Sequence, residues 1–157
     1  MSSRKIEDLV PELQTKFPAF KAKMAEAGIP FMITCTARIV REQIALYSQG
    51  REKVEATNVL RKMAGMAPIS WQENSKKVTW TLASKHIIDL DDNNPDNDKS
   101  RAFDIAITRD GRPCWEPKIN VNKNDLPDYT EAGRIGEAAG LRWGGRFPSP
   151  DPAHFEV

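Results

Sequence analysis

Apolar residues recur at helical spacing near the start of this chain, at Ile6, Leu9, Val10, Leu13, Phe17, Phe20 and Met24, and Gly28 follows as a stop. Pro11 suits the first turn of such a helix, whereas Pro18 predicts a kink or a second start. A stripe of this kind packs on a core rather than on a ligand. Residues 31–36 then read as a buried strand, and residues 41–47 as a helix ending near Gly50. Val54, Val59, Leu60 and Met63 predict a further helix closed by Gly65, and residues 77–81 alternate as a strand does. Residues 89–98 have almost no apolar content and predict an exposed loop. Residues 102–107 form an alternating strand, and Asp110-Gly111 is a hairpin turn leading to Pro113-Cys114-Trp115. A short helix over residues 129–139 stops at Gly140, and strands at residues 141–143 and 154–157 close the chain. Helices lead and the strands are mostly hairpin-connected, so the predicted class is α+β, a small antiparallel sheet with helices packed on it.

The 157 residues make one ordinary domain, residues 1–157, with no repeat and no second domain. A net charge of +1, from 23 Lys+Arg against 22 Asp+Glu, gives no general basic field for nucleic acid or an anionic membrane. Cys35 and Cys114 are too few for a disulfide framework, and neither sits at metal-ligand spacing to another Cys or His. The charged N-terminus lacks the apolar stretch of a signal peptide, and no run approaches the length needed to insert into a membrane. A product made in the cytoplasm is therefore expected. Gly133-Arg134-Ile135-Gly136 lies inside a predicted helix and is no dinucleotide fingerprint. Trp71, Trp80, Trp115 and Trp143 are expected in the core or a cleft wall. Trp143 is expected to border the site, because Gly144-Gly145 allows close backbone approach.

Two histidines carry the candidate chemistry. His86 stands in Ser84-Lys85-His86, and His154 in Asp151-Pro152-Ala153-His154-Phe155-Glu156. Two imidazoles and one carboxylate bind zinc while leaving a fourth position for water, which suits catalysis. Asp151 precedes His154 by three residues, with Pro150 and Pro152 stiffening the segment; a carboxylate so placed could serve as a base. An aspartate between prolines is more often a solvated turn residue. Glu156 shares the His154 face of a strand and could support that ligand.

Three motifs in order now matter: Ser84-Lys85-His86, then Arg101-Ala102-Phe103-Asp104-Ile105, then Trp143-Gly144-Gly145 followed by Asp151 and His154. Together they resemble the zinc peptidases of bacterial cell-wall peptides: D-Ala-D-Ala carboxypeptidases, D-Ala-D-Ala dipeptidases and L-alanyl-D-glutamate endopeptidases of phage endolysins. Upstream, residues 33–38, Glu42-Gln43 and residues 46–51 resemble the endolysin branch. The resemblance implies that His86, Asp104 and His154 hold zinc and that Asp151 takes the proton of the attacking water. Arg38 would steady the oxyanion, while Ser84, Gln43 and Trp143 would support the ligands or meet the substrate. The family spacing from histidine to aspartate falls on Asn93, which makes Asp92 a rival ligand. Asp104 is preferred because a strand holds a ligand more rigidly than an acidic loop.

Asp89, Asp91, Asp92, Asp96 and Asp98 offer oxygen ligands of the kind calcium favours, without the EF-hand spacing; a solvated loop is the commoner outcome. The implied function is a monomeric zinc metallopeptidase acting on peptidoglycan stem peptides, as an L-alanyl-D-glutamate endopeptidase exported with a holin and working on the periplasmic side. The alternatives are a D-Ala-D-Ala carboxypeptidase of the same fold, a non-catalytic wall-binding module, or a phage structural protein that breaches the wall.

Overall fold

The sheet is organised by one strand that is paired along both edges. In the computed structural model, which describes residues 2–157, this is β4 (Ala102–Arg109). Along one edge it pairs antiparallel with β1 (Phe31–Cys35). Along the other it pairs with β7 (His154–Glu156) at its start and with β5 (Arg112–Cys114) at its end, both antiparallel. β6 (Arg142–Trp143) adds to β7 and completes five strands. The expected antiparallel α+β architecture is therefore present. The hairpin forms as the sequence predicts, with Asp110 and Gly111 both at positive φ.

Phe103, Ile105 and Ile107 of β4 and Phe155 of β7 turn one sheet face toward α1 (Pro11–Glu26) and α5 (Asp128–Ala138). Leu13, Phe17, Phe20 and Met24 supply the buried stripe of α1. Phe20 meets Phe155 at 5.0 Å, and Phe103 stacks on Phe155 at 5.4 Å. Pro18 does not restart α1, which runs through it unbroken. It lies on the exposed side, where water can satisfy the Gln14 carbonyl that its missing N–H leaves free. Gly136 lets α5 sit directly on the sheet: a Cβ there would lie 2.5 Å from Phe155 Cε1.

A smaller unit flanks the sheet. β2 (Arg38–Ile39) pairs in parallel with β3 (Ile87–Ile88), a two-residue ladder that no periodicity announces. α2 (Val40–Ser48), α3 (Val54–Met63) and the short α4 (Trp71–Asn74) follow β2. Thr57 is buried against Ser48, joining α3 to α2, while Val59 and Met63 face solvent. Residues 77–81 form no strand. Trp71 and Trp115 are exposed rather than in the core or a cleft wall. No helix among the described residues is long and apolar enough to cross a membrane.

Replacing Gly136 by Ala pushes a methyl into an aromatic stack that cannot yield. We expect a loss of about 1–3 kcal/mol, the usual penalty for overpacking a core. Urea unfolding measures it, and an unchanged midpoint would mean that the α5–sheet contact has slack.

Candidate active site

The face of the sheet turned away from α1 carries the polar residues. Along β4 the alternation that buries Phe103 and Ile105 points Asp104 the other way, and along β7 it does the same for His154 and Glu156. The register sets Asp104 directly opposite His154. A bulge in β1 between Ile33 and Cys35 brings Cys35 opposite Asp104 as well. His86 arrives from outside the sheet, in the turn before β3. Its carbonyl accepts from Arg38 N–H at 2.9 Å, and its own N–H donates to Ser84 Oγ at 3.3 Å.

Hydrogen bonding assigns both imidazoles. His86 Nδ1 lies 3.0 Å from the Thr36 carbonyl, which only accepts, so Nδ1 carries the proton and Nε2 is free. His154 Nε2 lies 2.9 Å from Glu156 Oε2, which leaves His154 Nδ1 free. The two free nitrogens are 3.2 Å apart, and they lie 3.0 and 2.9 Å from Asp104 Oδ1. Bonds of about 2.0–2.1 Å in a tetrahedral zinc site give ligand–ligand edges of about 3.3 Å. His86, Asp104 and His154 therefore fit one face of such a tetrahedron.

Cys35, His86 and Asp104 also come within 4.8 Å of one another, a grouping that Cys spacing in the sequence could not reveal. Cys35 Sγ lies 3.7 Å from His86 Nδ1, the nitrogen already engaged by Thr36, and it accepts from Arg38 at 3.2 Å. It stands behind the triangle, and the edges of 2.9–3.2 Å favour His154 as the third ligand.

The charges of the metal-free cluster are mutually dependent. Burial disfavours a charged His86, but the Asp104 carboxylate beside it prevails and lifts the group to about 10. Burial likewise opposes charging of His154, and Asp104 again outweighs it, raising the group. Burial alone would raise Asp104, yet the two imidazoles hold it well below the carboxylate range. Burial also pushes the Cys35 thiol up, and His86 and Arg38 more than reverse that.

Arg38 is clamped on three sides. It donates to Gln43 Oε1 at 3.1 Å and to Cys35 Sγ, and it stands 3.6 Å from Asp104 Oδ2. Gln43 is fully buried and in turn donates to Thr79 Oγ1 at 3.1 Å and to the Thr81 carbonyl at 2.6 Å. Gln43 thus ties Arg38 to the segment of residues 77–85, one wall of a cleft of about 710 Å³. The same cleft is lined by Arg38, Ser84, His86, Asp104, Asp151 and His154.

The Trp-Gly-Gly motif works as a strap for the opposite wall. Trp143 Nε1 donates to the Pro152 carbonyl at 2.9 Å, and Gly144 O accepts from Asp151 N–H at 2.9 Å. A Cβ on Gly144 would lie 2.5 Å from the Asp151 carbonyl oxygen, so only glycine permits this approach. Trp143 itself packs over Gly133 and Gly145 and holds the Asp151–His154 segment from behind, instead of bordering the cleft as its position in the motif suggests. Asp151 reaches the cleft, where burial first and Asp104 second raise its carboxyl above the usual range.

The acidic loop stands apart from the cluster. Asp92 spends one carboxylate oxygen on Asn94 N–H at 2.9 Å and the other on Asn97 Nδ2 at 2.7 Å, and Asp89 caps Asp91 N–H. Asp91, Asp96 and Asp98 lie in the same loop, outside the cleft lining. The structure brings Asp104, not Asp92, to the two histidines.

Residues 98–157 match the family model described as D-alanyl-D-alanine carboxypeptidase, a span that holds Asp104, Asp151 and His154. The chain is 27% identical over 152 residues to the peptidoglycan L-alanyl-D-glutamate endopeptidase CwlK of Bacillus subtilis, covering 96% of this chain and 74% of that protein. Its fold is that of the crystal structure of the L-Ala D-Glu endopeptidase ChiX of Serratia marcescens. The TM-score is 0.54 at 17% identity, over 100% of this chain and 88% of the other. With the sheet, the His86–Asp104–His154 triangle and the Trp-Gly-Gly strap in place, the chain is similar to the D-alanyl-D-alanine carboxypeptidases over residues 98–157 and to an L-alanyl-D-glutamate endopeptidase over nearly its whole length.

Proposed function

We propose that this chain is a zinc-dependent peptidase that hydrolyses the L-alanyl-D-glutamate bond of peptidoglycan stem peptides. The observation that carries this reading is the triangle of His86 Nε2, Asp104 Oδ1 and His154 Nδ1 at 2.9–3.2 Å, opening into the cleft that Asp151 and Arg38 share. The bond is taken from CwlK, the L-alanyl-D-glutamate endopeptidase to which this chain is similar across nearly its whole length. The endolysin setting, with holin-assisted export and action beyond the membrane, rests on the likeness at residues 33–38, 42–43 and 46–51.

Bound at the triangle, zinc would supply a Lewis acid that acidifies water and polarises a carbonyl. The chain's own residues do the rest. Thr36 and Glu156 hold the two imidazoles in the tautomers that face Asp104. The Asp151 carboxylate takes the proton of the attacking water and returns it to the leaving amine. Its raised affinity for protons suits that exchange. The Arg38 guanidinium, fixed by Gln43 and Cys35, opposes the negative charge that develops on the scissile carbonyl oxygen.

The family model matching residues 98–157 carries the carboxypeptidase description, which favours removal of a terminal D-Ala as a second reading. Mass spectrometry of a stem-peptide digest separates the two, since one product series ends in free L-Ala and the other loses a single D-Ala.

Asp151→Asn should keep its zinc and lose about 10²–10⁴-fold in turnover, the usual worth of a general base. Retained activity in a zinc-loaded variant would remove Asp151 from that role. His86→Ala, Asp104→Ala and His154→Ala should each lose stoichiometric zinc by metal analysis, whereas Asp92→Ala should keep it. Loss of zinc only in the Asp92 variant would reverse the ligand assignment. Zinc must also displace protons, because the metal-free His86, lifted to about 10, is charged at neutral pH. Affinity should therefore rise with pH toward that value and weaken in acid. Calorimetric titration in buffers of different ionisation enthalpy should reveal proton release, and buffer-independent heats would contradict it.

A further inference from the structure

The cleft has an asymmetric charge balance. Its cations are Arg38, Lys77, Lys85 and Arg142. Arg38 faces Asp104 at 3.6 Å, and Arg142 is bound to Glu156 at 3.0 Å. Lys77 and Lys85 remain, and among the described residues neither forms an ion pair. Both belong to one wall, residues 76–85, which contains three lysines and no acidic residue. The opposite wall, residues 147–151, carries only the negative charge of Asp151.

The basic wall is built rather than loose. Gly50, at φ +77, lets the turn after α2 press on the backbone of Lys77; a Cβ there would lie 2.7 Å from Lys77 N. Lys77 Nζ stands 5.5 Å from the centre of the Trp80 ring, a cation–π arrangement that keeps the ammonium on the wall. Arg51 stacks on Tyr47 at 3.7 Å and donates to the Thr79 carbonyl at 3.1 Å, while Gln43 holds Thr79 and Thr81. Trp80 remains 63% exposed, although five side chains and a glycine fix its surroundings.

We infer that Lys77, with Lys85 in the same cleft lining, binds a carboxylate of the substrate and orients the peptide across the cleft. This rests on the peptidase reading and adds what the cleft selects. A glutamyl residue has two carboxyl groups, and a peptide chain continues through at most one of them. The residue flanking the scissile bond therefore carries a carboxyl group free to ionise. Asp151 repels it from one wall, and the unpaired ammonium groups attract it to the other, so one orientation is favoured by attraction and the reverse opposed by repulsion.

The test uses the zinc-loaded full chain and two synthetic peptides with an L-Ala-D-Glu bond, identical except that the free glutamyl carboxyl of one is an amide in the other. The wild type should prefer the carboxylate peptide by about three- to five-fold in kcat/KM, the range of an exposed ion pair. The preference should reside in KM and shrink as salt is added. Lys77→Gln should bring the ratio toward unity, and Lys77→Arg should retain it. Because each ratio compares two substrates on one protein, a partly misfolded variant still reports it. Equal cleavage of both peptides by the wild type, or an unchanged ratio in Lys77→Gln, overturns the proposal. A wild type that cleaves neither peptide overturns the L-alanyl-D-glutamate endopeptidase reading and this inference with it.

Discussion

A carboxylate and two imidazoles within 3.2 Å of one another in a largely buried setting are stable together only around positive charge. Without metal that charge is protons, which is why His86 is lifted and Asp104 depressed as a linked set. A divalent cation meets the same need without filling the imidazole lone pairs with hydrogen. The rest of the architecture follows from keeping these three groups together. Thr36 and Glu156 fix which nitrogens face inward, and Arg38 takes the second oxygen of Asp104. Such a cluster is costly wherever one partner is missing, so its supports must be rigid.

Rigidity comes from the other side of the same strands. Alternation in β4 and β7 places Phe103, Ile105 and Phe155 in the aromatic core while Asp104, His154 and Glu156 face the cleft. A one-residue slip of β7 against β4 would break the Asp104–His154 pair and expose Phe155 together. Core packing thereby enforces the geometry of the cluster. Gly136 and Gly133 belong to this system, since they bring α5 onto Phe155 and Trp143, the residue that straps the Asp151 segment.

Much of this is legible in the chain. The α1 stripe, the β4 alternation and the Asp110-Gly111 turn announce themselves because each is local. Residues 77–81 mislead for a physical reason: their alternation is real, but β-propensity needs a neighbouring strand. Here Gln43 and Arg51 side chains hold the backbone instead. Cys35 was illegible as a neighbour of His86, because a bulge in β1 and a two-residue parallel ladder bring them together across 51 positions. Trp143 is legible as part of a motif but not in its role, since whether an indole lines a cleft or braces it depends on what covers its face.

The long separation between His86 and Asp104 is the point where sequence spacing and structure diverge most instructively. The intervening acidic segment is closed at its base: Arg101 N–H donates to the Lys85 carbonyl at 2.9 Å, and Asp89 N–H to the Asn97 carbonyl at 3.1 Å. Ser100 is fully buried and bridged to Leu9, exchanging backbone hydrogen bonds with Asp8 and Val10. With both ends pinned beside the ligands, the residues between them loop into solvent and contribute no geometry to the site. Closing a longer loop costs only the slow logarithmic growth of its entropy, about 0.6 kcal/mol per doubling. What the proposed metal site requires is therefore the clamp at Lys85–Arg101 and the register of β4, and neither of those is a count of residues along the chain.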